Sequence, residues 1–105
     1  MKNEAIKTYS IGKYVIIRTN SAGVWMGKVE NKSSTQVILS DARRMRYWKC
    51  LDDGMSLSHI ALNGIHKDSE IQAAVPSVLL QWIEILPISD NAKLTFDAQP
   101  YAVAK

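Results

Sequence analysis

The stretch Val37–Ile65, VILSDARRMRYWKCLDDGMSLSHIALNGI, decides the reading of this chain. It opens on the aliphatic run Val37-Ile38-Leu39, passes through Asp41-Ala42-Arg43-Arg44-Met45-Arg46-Tyr47-Trp48, and ends on helical spacing. An extended strand shows alternate residues to opposite faces. Continued through Trp48, it places Arg44, Arg46 and Trp48 on one face and Arg43, Met45 and Tyr47 on the other. Lys49–Gly54 then carries a turn signal in Asp-Asp-Gly. Ser56 is placed to cap a helix whose Leu57, Ile60 and Ala61 recur on one side. Gly64 suits the left-handed residue that closes it. So short a helix depends on packing rather than propensity.

Outward from this centre the pattern is that of strands. Lys13–Asn20, KYVIIRTN, is dense in β-branched and aromatic residues and reads as a buried strand. Ser21-Ala22-Gly23 is a turn, and Val24–Asn31 completes a hairpin in which mid-strand Gly27 marks a bulge or a close backbone approach. Lys32–Thr35 turns the chain into a third strand, Gln36–Ser40. Beyond the polar crossing Ile65–Ser69, two apolar runs, Glu70–Val75 and Ser77–Ile88, are broken by Pro76. The second alternates as a strand apolar on both sides and is expected at the centre of the sheet. Ser89 or Asp90 caps a further helical turn, Ala92–Asp97, and Gln99–Val103 is expected to return as an edge strand, where proline is tolerated. Residues 1–12 form an N-terminal arm, expected to add a short edge strand, and residues 13–105 a single β-rich domain.

With 105 residues, 47% hydrophobic and 22% charged, the chain has the composition of one globular domain. A net charge of +3 falls short of a dedicated duplex-DNA binder. Its distribution is the informative part: between Asp41 and Lys49 four basic residues face one acid. The single cysteine, Cys50, excludes an internal disulfide. His59 and His66 have no spacing for a zinc site, and no cofactor is implied. No signal-peptide pattern and no membrane-length apolar run are found, so a cytoplasmic protein is expected.

Each candidate for chemistry has a plain alternative. Arg43, Arg44 and Arg46 could grip phosphate while Tyr47 and Trp48 stack a base, with the helix start at Ser56 and His59 beside them. The same residues also suit a solvated strand face with arginine stems covering a half-buried tryptophan. A Ser56–His59–Asp hydrolase lacks a nucleophile elbow, and Ser56 already serves as a cap. Cys50 beside Lys49 reads as a small buried hydrophobe before it reads as a reactive thiol. Asp52, Asp53 and Glu70 could hold a metal, but Asp-Asp-Gly is first a turn. Trp25 and Trp82 are read as core. A binding module is favoured over an enzyme.

The pattern Gly23-Val24-x-x-Gly27, Val37-x-Leu39-x-Asp41-Ala42-Arg43-Arg44, Tyr47-Trp48 and Ser56-Leu57-x-x-x-Ala61-x-x-Gly64 resembles a family of small uncharacterised proteins encoded by tailed bacteriophages. The run Ile83-Glu84-Ile85-Leu86-Pro87 fits the same family, and the match extends from Lys13 onward. Where its members follow Tyr-Trp with glycine and small residues, this chain has Lys49-Cys50-Leu51-Asp52-Asp53-Gly54. The resemblance implies a phage origin, in the infected host's cytoplasm or the virion. It brings no established activity; small phage proteins of this kind counter host defences or decorate particles.

These readings predict a mainly β domain (β-rich α+β), a small antiparallel SH3-like or partly open barrel with one short inserted helix. The leading function is a non-enzymatic phage accessory protein, a homo-oligomer binding an anionic nucleotide-like small molecule. One form of that role is sequestration of a host immune signal. The first alternative is a virion or assembly protein using the Arg/Tyr/Trp surface for protein contacts. The second is single-stranded nucleic-acid binding by a small barrel.

Overall fold

Tyr14–Arg18 forms the first strand, β1, whose Val15, Ile16 and Ile17 are all fully buried. A strand covered on both faces needs an unbroken aliphatic run, which is what this segment supplies. In the computed structural model, which describes residues 2–102 apart from the side chains of residues 2–4 and Asp53, β1 pairs antiparallel with β2 (Val24–Lys32) across the turn at Gly23, φ 84°. β2 pairs with β3 (Gln36–Tyr47), so the central segment is extended to Tyr47 as its pattern predicts. β3 is long enough to carry two partners on its far edge. β4 (Glu70–Ile71) lies against Met45 and Tyr47, and β5 (Val75–Gln81) against Gln36–Ala42. β6 (Glu84–Pro87) pairs with β1 at the other side of the sheet.

Only Trp82 and Ile83 separate β5 from β6, yet these strands occupy opposite edges. The Trp82 amide donates to Thr35 at the start of β3 (3.1 Å), and the next amide, Ile83, donates to Arg18 at the end of β1 (2.9 Å). These adjacent bonds curl the sheet on itself. The result is a small, partly open antiparallel β fold.

The curl gives the sheet two apolar faces. Val15, Ile17, Trp25, Val29, Val37, Leu39, Ala42 and Leu80 fill the inside of the curve. Ile16, Met26, Met45 and Ile71 project from the other face. They are covered by α2 (Leu57–Asn63), through Leu57, Ile60 and Ala61, and by α3 (Asp90–Ala98), through Ala92 and Phe96. Ser56 and Ser89 cap these helices, accepting from the amides of His59 and Ala92. Gly64 closes α2 at φ 100°, ψ −172°, a region open essentially to glycine alone. A Cβ there would overlap Thr95 of α3, so the same glycine lets the two helices meet. No described helix is long and apolar enough to cross a membrane.

Three expectations are corrected. The arm, read as an edge strand, forms the helix α1 (Lys2–Thr8), in keeping with the helix-favouring Glu4-Ala5-Ile6-Lys7. The apolar run after Pro76 is not one central strand. It breaks at Trp82-Ile83 into two strands on opposite edges, and Pro76 lies inside β5. The tail Gln99–Ala102 adopts no strand and contributes one sheet-like bond, Ala102 N–H to Ile71 (2.8 Å); Val103 lies outside the described residues.

Gly27 sits at a bulge, as mid-strand glycines often do. The register passes from Met26↔Arg43 to Lys28↔Ser40, so Asp41 and Ala42 together oppose Gly27. Asp41 takes φ 49°. Inward-facing residues then step from Val37 and Leu39 to Ala42, which turns Arg43 out of the curl. A Cβ on Gly27 would stand 3.1 Å from both Ala42 Cα and Ser40 O, backbone atoms that cannot rotate away. Gly27→Ala is therefore expected to destabilise the fold by about 1–3 kcal/mol in denaturant titration. An unchanged midpoint would show that the bulge is not closely packed.

Candidate functional site

The sequence places three arginines in one segment; the fold sends them to three different tasks. Arg43 lies on the helix-covered face. Its Nε donates to Gln72 O (2.9 Å), and its two terminal nitrogens donate to Phe96 O (2.8 Å) and Gln99 O (3.0 Å). Two of these carbonyls end α3, where orphan acceptors and the negative pole of the helix favour a cation. Burial pulls the Arg43 guanidinium below the usual arginine range, with Asp41 and Asp97 opposing.

Arg44 faces the other way. Its guanidinium stacks 4.4 Å from the Trp25 ring centre and donates to Ala22 O (2.8 Å), the same carbonyl that receives the Trp25 indole N–H (3.0 Å). This fastens the β1–β2 turn. Arg46 projects to solvent and pairs with Glu70 on β4 at 2.5 Å. Tyr47 is half-exposed, and Trp48 packs by one side against the helix-covered core. The expected constellation is thus dispersed: Arg46 and Tyr47 are exposed, while Arg43 and Arg44 are half-buried and engaged by internal partners.

Ser56 and His59 also have internal partners. Ser56 Oγ accepts from the His59 amide (3.3 Å), as expected of a cap. The His59 ring reaches back to Leu51 O through Nε2 (2.7 Å). A carbonyl can only accept, so Nε2 carries the proton and Nδ1 receives Asn63 Nδ2 (3.5 Å). Gly54 lies so close over the imidazole that a Cβ would overlap it. His59 thus clamps the 3-10 turn Leu51–Asp53 onto α2. Cys50 is buried, its thiol donating to Ser56 O (3.3 Å). Of the imagined metal ligands, Asp52 is exposed at φ 54°, Glu70 is paired with Arg46, and the Asp53 side chain lies outside the described residues. Trp25 is core; Trp82 is half-buried at the closing turn, its indole donating to Ser33 O (3.2 Å) under the Lys32 ammonium.

A polar group that the sequence does not single out lies between β1, the β3 bulge and α3. Tyr14 Oη donates to Asp41 Oδ2 (2.8 Å), and Lys93 Nζ sits 4.2 Å from the centre of the Tyr14 ring while bonding Asp97 (2.5 Å). A recess of about 310 Å³ beside it is lined by Asp41, Arg43, Asp97, Gln99 and Tyr101. Each of its charged groups already has a partner: Asp41 has Tyr14, Asp97 has Lys93, and Arg43 has its three carbonyls. The signal that could have found it is the bulge, since only a positive φ at Asp41 brings that carboxylate to Tyr14.

With this geometry in hand, the comparisons add a family and no activity. Residues 12–96 match the model described as a domain of unknown function, DUF6948, and the chain belongs to that family. Its match begins where the arm ends. No curated protein and no solved structure matches the chain.

Burial first, then the hydrogen bond to Asp41 and the neighbouring carboxylates, pushes the Tyr14 phenol from 10.0 to about 12. A phenol raised in the folded state stabilises fully below the unfolded value and loses that contribution as pH climbs through the folded one. The stability difference between the native protein and Tyr14→Phe should therefore be constant below pH 10 and fall away between pH 10 and 12. Denaturant midpoints across that range test it. A gap independent of pH would contradict the Tyr14–Asp41 bond.

Proposed function

We propose that the protein is a non-enzymatic accessory or assembly protein of tailed-phage type that works by protein contact rather than by capturing a nucleotide. The observation that carries this reading is the use to which Arg43 and Arg44 are put. A phosphate grip needs guanidiniums converging on open space, whereas Arg43 is bound to three carbonyls and Arg44 to Trp25 and Ala22. What remains outside is Arg46, Tyr47 and the flank of Trp48, residue types enriched at protein interfaces. Leu79, Ile83 and Met55 are large apolar residues exposed elsewhere on the surface, Leu79 against Ile38 at the other end of β3.

One observation favours a narrower form of nucleotide binding. Arg46 and Tyr47 are both exposed, one on each face of β3, and a phosphate at Arg46 would replace its Glu70 partner while a ring stacks separately on Tyr47. Native mass spectrometry of the protein purified from its expression host, with a panel of mono-, di- and cyclic nucleotides, separates the two. The protein-contact reading expects bare protein masses throughout. A stoichiometric nucleotide adduct that disappears in Arg46→Ala would overturn it.

A further inference from the structure

β5 is an uncovered edge. Its register joins it to β3 alone, and among the described residues no other strand lies along its second side. Parity shows which of its groups are open. Trp82 N–H points to Thr35 of β3, so by alternation the even-numbered positions of β5 turn their amides and carbonyls toward β3. The odd positions, Val75, Ser77, Leu79 and Gln81, turn theirs outward, and all four residues are exposed. Pro76, which has no N–H, falls on the β3 side, opposite the bulged Asp41 where the register omits a pair. Its missing donor leaves the outward row complete.

Natural sheets guard such edges with charge, above all lysine. This one has none. From Ile71 to Ile83 the sequence contains no ionisable side chain, the longest such run in a chain of net charge +3. Leu79 is 60% exposed beside its cross-strand neighbour Ile38 at 37%.

We infer that β5 pairs antiparallel with β5 of a second copy, joining two curled sheets across a two-fold axis. A second copy is the occupant that fits. Two positively charged protomers meet without like-charge repulsion along a neutral segment, and antiparallel pairing of one strand with itself is self-complementary. Full overlap of Val75–Gln81 centres the axis on Val78. Ser77 of one copy then lies opposite Leu79 of the other, Val75 opposite Gln81, and the outward donors and acceptors of both strands meet. Leu79 and Ile38 of each copy come together beside the axis as one apolar cluster. This rests on the protein-contact reading and names the partner as the chain itself.

The test measures the mass of the full chain in solution by light scattering, with hydrogen exchange of the β5 amides, for the native protein, Ser77→Pro and Leu79→Lys. The inference expects a dimer in which the amides of Ser77 and Leu79 exchange at least tenfold more slowly than in either variant, both variants being folded monomers by circular dichroism. A native monomer at micromolar concentration overturns it, as does a dimer that persists in a folded variant. Should Ser77→Pro fail to fold, Leu79→Lys decides alone. Neither result touches the nucleotide panel: a monomer without adduct leaves the protein-contact reading standing with a different partner, and an adduct removes that reading whatever the mass.

Discussion

Arg43 is the constraint on which the rest depends. One guanidinium satisfies the carbonyls of Gln72, Phe96 and Gln99, in the link before β5, in the last turn of α3 and just beyond it. These segments share no strand pairing with one another. α3 is nine residues long and holds to the sheet chiefly through Ala92 and Phe96, so its end needs an anchor that packing alone does not give. A planar fork of donors suits this task where a lysine would not, because three acceptors lie in fixed directions around one group.

The bulge puts that arginine where it is used. Had β3 continued without the extra residue, alternation from Val37 and Leu39 would have sent position 43 into the curl and position 44 toward the helices. The shift at Asp41, with Gly27 giving it room, turns Arg43 outward to α3 and Arg44 inward over Trp25. It also brings the Asp41 carboxylate to Tyr14. One local irregularity therefore sets the direction of both half-buried arginines and makes the polar contact between β1 and β3.

Much of this was readable in the sequence, and what was not has a common cause. Val15-Ile16-Ile17 announces a strand covered on both faces, Ser56 and Ser89 announce caps, Gly64 announces the helix end, and Gly27 marks the bulge. The alternation separates Arg44 from Arg43 and Met45 as read, but Trp48, grouped with Arg44 and Arg46, lies beyond the end of β3 and packs on the Met45 side. Periodicity, however, says which face a side chain takes and not what waits there. The carbonyls that claim Arg43 lie 29, 53 and 56 residues away, beyond the reach of any local pattern. His59 is similar: its spacing beside Ser56 and Asp52 suggests chemistry, while its ring is occupied by Leu51 and shielded by Gly54. The split at Trp82-Ile83 escaped because an apolar run does not show where it crosses from one edge of a sheet to the other.

The central claim is that Arg43 belongs to the fold and not to a ligand. The most direct measurement is the unfolding free energy of Arg43→Lys, which keeps the charge and loses the fork. The account predicts a loss of about 2–4 kcal/mol, from carbonyls left without donors around a cation that can reach only some of them. A variant as stable as the native protein would contradict it, and would return Arg43 to the set of residues free to bind something else.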